Sequence, residues 1–246
     1  MSDVVFGRMK QGKLAEVIAA HIRAEIRDGV LSTGDRLPPE RDLIEQLGVS
    51  RATVREALML LEADGFVAVR AGRHGGAYVT RPRIERLATI LDTILSVERT
   101  TTGELLEARA LMEPLAVRLA ATRATPEELA SIEACVMRTA EHRDSPSVVA
   151  EEVARFHVLV AESTRNGVIS ALTAITQQLI FSRVFDALGT EVESTIRAHQ
   201  RIYEAIRDGD PELAARRMVR HVGAFERVLD DPRWATFNDR PPSYSG

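Results

Sequence analysis

Residues 34–79 read GDRLPPERDLIEQLGVSRATVREALMLLEADGFVAVRAGRHGGAYV, and the order of signals in this stretch decides the fold of the N-terminal third. After a Pro-Pro turn, ERDLIEQL has the length and polarity of a short helix that stops at Gly48. The tight turn LGVS leads to Ser50, an N-cap residue type, and to a second helix that carries Val54, Ala57, Leu58 and Leu61 on one face. Two helices joined so closely form a helix-turn-helix. FVAVR and AYVT then flank the Gly-rich tip AGRHGG, the pattern of a two-stranded hairpin, or wing.

Outward from this stretch the pattern is helical. Upstream, KLAEVIAAHIRAEIRDG (13–29) gives an amphipathic helix with a stripe at Leu14, Val17, Ile18, Ile22 and Ile26, stopped by Gly29. Downstream, seven amphipathic segments follow with short connections. The first, IERLATILDTILSVE, has its stripe at Ile84, Leu87, Leu91, Ile94 and Leu95. The third opens with the capping box Thr125 to Glu128, and the seventh has Asp210 as N-cap and Pro211 at its first position. The expected fold class is mainly α: a winged helix-turn-helix at 1–80, a linker at 81–83, an all-α antiparallel bundle of about seven helices at 84–231 and a peripheral tail at 232–246.

The bulk numbers fit two modest domains in 246 residues, 45% hydrophobic and 28% charged. The single cysteine, Cys135, excludes an intrachain disulfide and every Cys-rich metal pattern, and reads as a buried thiol. There is no signal-type apolar segment and no apolar run near ~18 residues, so the expectation is a soluble, cytoplasmic protein with no membrane partner. Net charge is −4, unevenly spread: residues 1–83 hold 13 Lys and Arg against 11 Asp and Glu, the remainder 19 against 25. Any nucleic-acid partner therefore belongs to the N-terminal third.

The first turn of the second helix carries Ser50, Arg51, Thr53 and Arg55, at the end that a recognition helix inserts into the major groove. Arginine grips guanine bidentately, while hydroxyls and free helix N–H groups suit phosphates. Arg41 on the preceding helix and Arg73 and His74 at the wing tip are candidates for backbone or minor-groove contacts. Arginines alone would read as solvated surface; a helix-turn-helix and wing in this order favour DNA. GRHGG follows a strand but precedes no helix, which excludes the dinucleotide-binding context.

The quoted stretch resembles the winged helix-turn-helix of the GntR family of bacterial transcription regulators. The resemblance implies that Arg41, Arg51, Thr53, Arg55 and Gly72 carry most DNA contacts, and that the protein is a homodimer on a short palindromic operator.

The second candidate site begins at EEVARFHVLV (151–160), where Val153, Phe156, His157 and Val160 share one helix face. An imidazole on an apolar face is either a core histidine with one hydrogen bond or a ligand aimed inward. His199, three after Ile196 and four before Tyr203, and His221, three after Met218 and four before Phe225, repeat the pattern on two other helices. Three inward histidines favour a shared polar pocket, and bundle interiors suit metal sites. Arg109 shares a face with Leu105, Met112 and Ala116; it either pairs with Glu113 four residues on or clamps a carboxylate ligand.

LLEARALMEPLAVRLAA, FHVLVAESTRN and HQRIYEAIRDGDPELAARRMVRHV resemble the all-helical FCD effector domain of the FadR subfamily. The resemblance implies, for its metal-binding members, an Asp four residues before the first His plus three His matching His157, His199 and His221, with small carboxylates completing the coordination. Here the Asp position is Val153, and Glu152 sits about 100° around the helix. Two arrangements are open: one divalent transition metal (Zn, Ni or Mn) on three neutral histidines, or a metal-free pocket in which the histidines and Arg109 hold an anion. Arg109, Glu113, Val153 and Asn166, the last from FHVLVAESTRN, are the candidate effector contacts.

The expected function is a ligand-responsive, DNA-binding transcriptional regulator, with repression as the expected sign and a small organic acid, or a more apolar one, as effector. Its partners are then a double-stranded operator, that acid and a second copy of the chain. The rival class is a metal-dependent hydrolase on the same three histidines, because a three-His metal with an open position is also hydrolytic geometry. That class lacks a general base in reach and leaves the wing unexplained.

Overall fold

The computed structural model describes residues 11–229 other than 73–74, 83 and 189–191, so the expected tail at 232–246 and the wing-tip residues Arg73 and His74 lie outside the described residues. The chain divides into two compact units, Met1–Arg83 and Ile84–Gly246.

The first unit contains α1 (Gln11–Arg27), α2 (Glu40–Leu47), α3 (Arg51–Ala63), β1 (Val67–Arg70) and β2 (Gly76–Val79). Gly48 ends α2 at φ 61°, a left-handed cap that returns its N–H to the Ile44 carbonyl. Ser50 then opens α3, its Oγ accepting the Thr53 N–H at 3.1 Å. Val54, Ala57, Leu58 and Leu61 of α3 pack against α1, with Leu43, Val67 and Val79 closing the core. The face of α1 differs from the expected stripe: Ala15, Ile18, Ala19 and Ile22 are buried while Val17 is 53% exposed. Alanine at positions 15 and 19 presents no bulk, so α1 approaches α3 on that side and Val17 is turned to water.

β1 and β2 pair antiparallel, Val67 opposite Val79 and Arg70 opposite Gly76. The tip needs glycine for a steric reason: a Cβ on Gly75 would overlap the Arg70 carbonyl oxygen. Arg36 ties the wing to the body by donating from Nη2 to the Gly75 carbonyl at 2.6 Å.

The second unit comprises α4 (Ile84–Val97), α5 (Thr102–Arg123), α6 (Pro126–Glu141), α7 (Pro146–Glu162), α8 (Gly167–Leu188), α9 (Val192–Arg207) and α10 (Pro211–Leu229). Its main core joins Val117 and Ala120, Ile132 and Val136, Phe156 and Val160, Ile202, Met218 and Val222. α5 is the common neighbour, packing on α7, α8, α9 and α10. Reciprocal capping boxes at Thr101–Glu104 and Thr125–Glu128 start α5 and α6. α4 turns a different face inward than its stripe suggested: Leu87 and Ile94 are 46% and 53% exposed, whereas Ala88 and Asp92 are buried. This helix has apolar residues on more than one face, and the small Ala88 fits over Leu105, Leu106, Leu179 and Ile180. No described helix is long and apolar enough to cross a membrane.

Leu61 is fully buried where α3 meets the first unit's core. Leu61→Ala is expected to destabilise that unit by about 2–5 kcal/mol, read as a lowered urea midpoint at unchanged slope.

Candidate functional site

In the first unit the start of α3 presents Arg51 and Arg55 on the surface, with Arg41 exposed on α2 and Gly72 exposed at the hairpin. Arg55 Nε donates to Glu40 Oε2 at 3.0 Å, an exposed pair that holds the guanidinium beside the turn without removing it from water. Thr53 is placed differently. It is buried, and its Oγ1 lies 2.8 Å from Ser50 Oγ, so its hydroxyl is turned into the helix cap. The helix N-terminus, with its positive dipole end and two arginines, is suited to a phosphate backbone and base edges.

The second unit gathers a polar centre inside its core. His157 of α7, His199 of α9 and His221 of α10 point their Nε2 atoms at one another: His199 to His221 is 3.1 Å, His221 to His157 3.3 Å. Phe156 stacks on His199 with ring centroids 3.8 Å apart, fixing that ring. Arg109 and Glu113 reach the same place from successive turns of α5, each only 3% exposed. Arg109 Nε donates to Glu113 Oε1 at 2.8 Å, and Arg109 Nη2 lies 2.6 Å from His157 Nε2. Glu113 Oε2 is 2.8 Å from His157 Nδ1. The alignment of that last contact falls short of a full hydrogen bond, yet neither atom has another partner, which places the ring proton on Nδ1.

Gln177 of α8 completes the set by donating from Nε2 to Glu113 Oε1 at 2.6 Å. Sequence reading missed it, although a buried polar residue on a mostly apolar helix is the same signal that marked His157. Val153 is buried one turn before His157. Asn166 stands apart: its Oδ1 accepts the Val168 N–H at 3.0 Å and so caps the start of α8. Glu152 is also committed elsewhere, its Oε1 3.1 Å from Arg138 Nε.

Burial opposes charge on Glu113, but Arg109 and His157 outweigh it and hold the carboxyl low, at about 2. Burial pushes His157 below its ordinary value against the opposing pull of Glu113. Burial also drives His199 and His221 well down, helped by their imidazole neighbours and Arg109. All three rings are therefore neutral near pH 7, the state in which an imidazole nitrogen binds a metal.

The donor types suit such an ion, and the spacing suits it at two of the three pairs; the three nitrogens as a set lie within 4.8 Å of one another. Two nitrogens each 2.0–2.1 Å from one centre are about 2.9–3.4 Å apart, and the observed 3.1 and 3.3 Å fall in that interval. The carboxylate contact behind His157 Nδ1 is the usual support of a ligating histidine. What the set lacks is an anionic ligand, since Val153 supplies none.

In metal-free protein the centre carries a pH signature. Unfolded imidazoles charge as pH falls through their ordinary 6.5, whereas the buried rings resist. The stability that depends on their neutrality is full above that value and is lost as pH falls toward the folded values. His199→Gln removes one such group, so its loss of stability between about pH 8 and about pH 5 is expected to be shallower than that of the unaltered chain. Parallel curves in thermal unfolding would contradict this.

Comparison with known proteins gives one consistent answer. Residues 14–79 match the profile of "Bacterial regulatory proteins, gntR family", and residues 104–224 match the FCD domain. The chain is 31% identical over 234 residues to the Glc operon transcriptional activator of Escherichia coli (strain K12), covering 89% of each chain. It is 30% identical over 236 residues to the Exu regulon transcriptional regulator of the same strain, covering 89% of this chain and 87% of the other. A solved Streptococcus agalactiae GntR superposes with a TM-score of 0.69 at 27% identity, over 87% of this chain and 99% of that one. The relatives are transcriptional regulators and not enzymes, which removes the hydrolase alternative. With a helix-turn-helix and wing followed, among the described residues, by seven helices around a histidine centre, the chain thus belongs to the GntR family of bacterial transcriptional regulators, in its FCD-containing branch.

Proposed function

We propose that this regulator binds a palindromic operator as a homodimer and senses a small carboxylate at the Arg109–histidine centre. The observation that carries the sensing half is the buried guanidinium of Arg109, set beside three neutral imidazoles in a core that is otherwise apolar. Such a cation is costly to bury, and its planar donors match a carboxylate in geometry. In this reading His157, His199 and His221 hold one divalent transition metal (Zn, Ni or Mn), which would supply a Lewis-acidic position for the effector oxygen. Val153 leaves that position without a protein anion, so the effector's charge matters more here than in sites that keep the aspartate. Glu113 and Gln177 orient the protein groups; Val153 lines the side one turn away on α7.

The DNA half rests on α3. Arg51 and Arg55 are the base-reading candidates, Arg41, Ser50 and Gly72 backbone contacts, and Thr53 acts through the cap. Arg51→Ala or Arg55→Ala is expected to weaken binding to an operator selected from random DNA by ~1–3 kcal/mol while sparing non-specific affinity. Fluorescence anisotropy at fixed salt decides this, and unchanged operator affinity in both variants would overturn the assignment. Release of operator on addition of acetate, L-lactate or citrate marks a repressor, and tighter binding an activator.

The metal is tested by elemental analysis of the full chain beside a His157→Ala/His199→Ala variant. About one transition metal per chain, lost in the variant, is expected. If the unaltered chain takes up neither Zn²⁺ nor Ni²⁺, the anion is instead held by Arg109 and the histidines directly, and larger, more apolar acids become the effectors to try.

A further inference from the structure

The contacts of His157 carry a consequence for how the centre is loaded. With its proton on Nδ1 beside Glu113, His157 has a single lone pair, on Nε2. Arg109 Nη2 lies 2.6 Å from that atom, and a guanidinium can only donate. The same Nε2 is the one that converges with those of His221 and His199. One lone pair serves one partner. The geometry points to Arg109 as a built-in occupant of the centre: its guanidinium and a metal cation are alternative partners of His157 Nε2, so cation uptake and guanidinium release are one event.

This rests on the proposal that the three histidines take a divalent cation, and it adds the order in which the site is assembled. Arg109 stays tethered during the exchange, because its Nε is bonded separately to Glu113 Oε1, which Gln177 also holds. Release therefore turns the outer nitrogens of the guanidinium without freeing the side chain. The turned guanidinium then lies next to a newly bound dication, where two positive groups without an anionic protein ligand favour a carboxylate between them. Cation and acid should accordingly bind with positive, reciprocal coupling. The occupant also weakens the cation's apparent affinity. The intrinsic dissociation constant is divided by the fraction of chains in the competent state, so a released state populated ~1–10% of the time weakens binding about 10–100-fold.

The test uses metal-stripped full-length protein titrated with Zn²⁺ against a chromophoric chelator. Beside Arg109→Lys, which keeps the positive charge, the informative variant is Arg109→Met, which frees the His157 lone pair while leaving Glu113 in place to support His157 Nδ1. Tighter Zn²⁺ binding by about tenfold or more is expected in this variant, with acetate tightening Zn²⁺ binding more in the unaltered chain than in the variant. Circular dichroism checks that the variant folds. Independently of the variant, ¹⁵N NMR of the unaltered chain should show the Arg109 Nη signal shifting on Zn²⁺ addition while its Nε–H signal persists. Equal or weaker Zn²⁺ binding by the folded variant, or Zn²⁺ uptake with the Nη signal unmoved, overturns the proposal. So does failure of both proteins to bind Zn²⁺; if acetate still changes operator binding in that case, the regulator reading stands and only the exchange fails.

Discussion

The buried ion pair between Arg109 and Glu113 is the constraint around which the second unit is organised. Each group is nearly inaccessible to water, and neither could remain charged there alone. Satisfying them requires donors and acceptors from other helices, and these come from Gln177 on α8 and His157 on α7. His157 in turn abuts His221 on α10, which abuts His199 on α9. A pair that begins as a local i, i+4 contact on α5 thus fixes the register of five helices. The apolar core around Phe156, Ile202 and Met218 supplies the driving force, and the polar centre specifies how it is arranged.

The same centre ties stability to pH. Removing water from three imidazoles keeps them neutral and able to donate lone pairs, at the expense of stability in acid. Val153 adds no charge beside His157, and Arg109 and Glu113 offset each other, so the cluster is neutral in sum. The DNA-facing unit follows a simpler logic. There the caps and the left-handed glycine at position 48 set the angle between α2 and α3, and Thr53 is spent on that geometry so that Arg51 and Arg55 remain on the surface.

Much of the fold was legible from periodicity and punctuation. Gly48, Ser50, Thr125 and Asp210 act locally, through hydrogen bonds a few residues long, so their roles follow from sequence alone. The inward positions of His157 and Arg109 were legible because each interrupts an apolar face. The faces of α1 and α4 were misread for a physical reason. Alanine is apolar but small, and which of two apolar faces is buried depends on the neighbour's surface, as Val17, Leu87 and Ile94 show.

The sequence by itself determined the winged helix-turn-helix, the helical second unit, and a set of buried histidines with an arginine, because side-chain periodicity and caps act over a few residues. Only the tertiary structure decided which polar groups meet. Arg109 and His157 are 48 residues apart in sequence, and Gln177 and Glu113 are 64 apart. Contacts at such separations are set by how five helices pack, a collective outcome of volume and burial that no local pattern encodes.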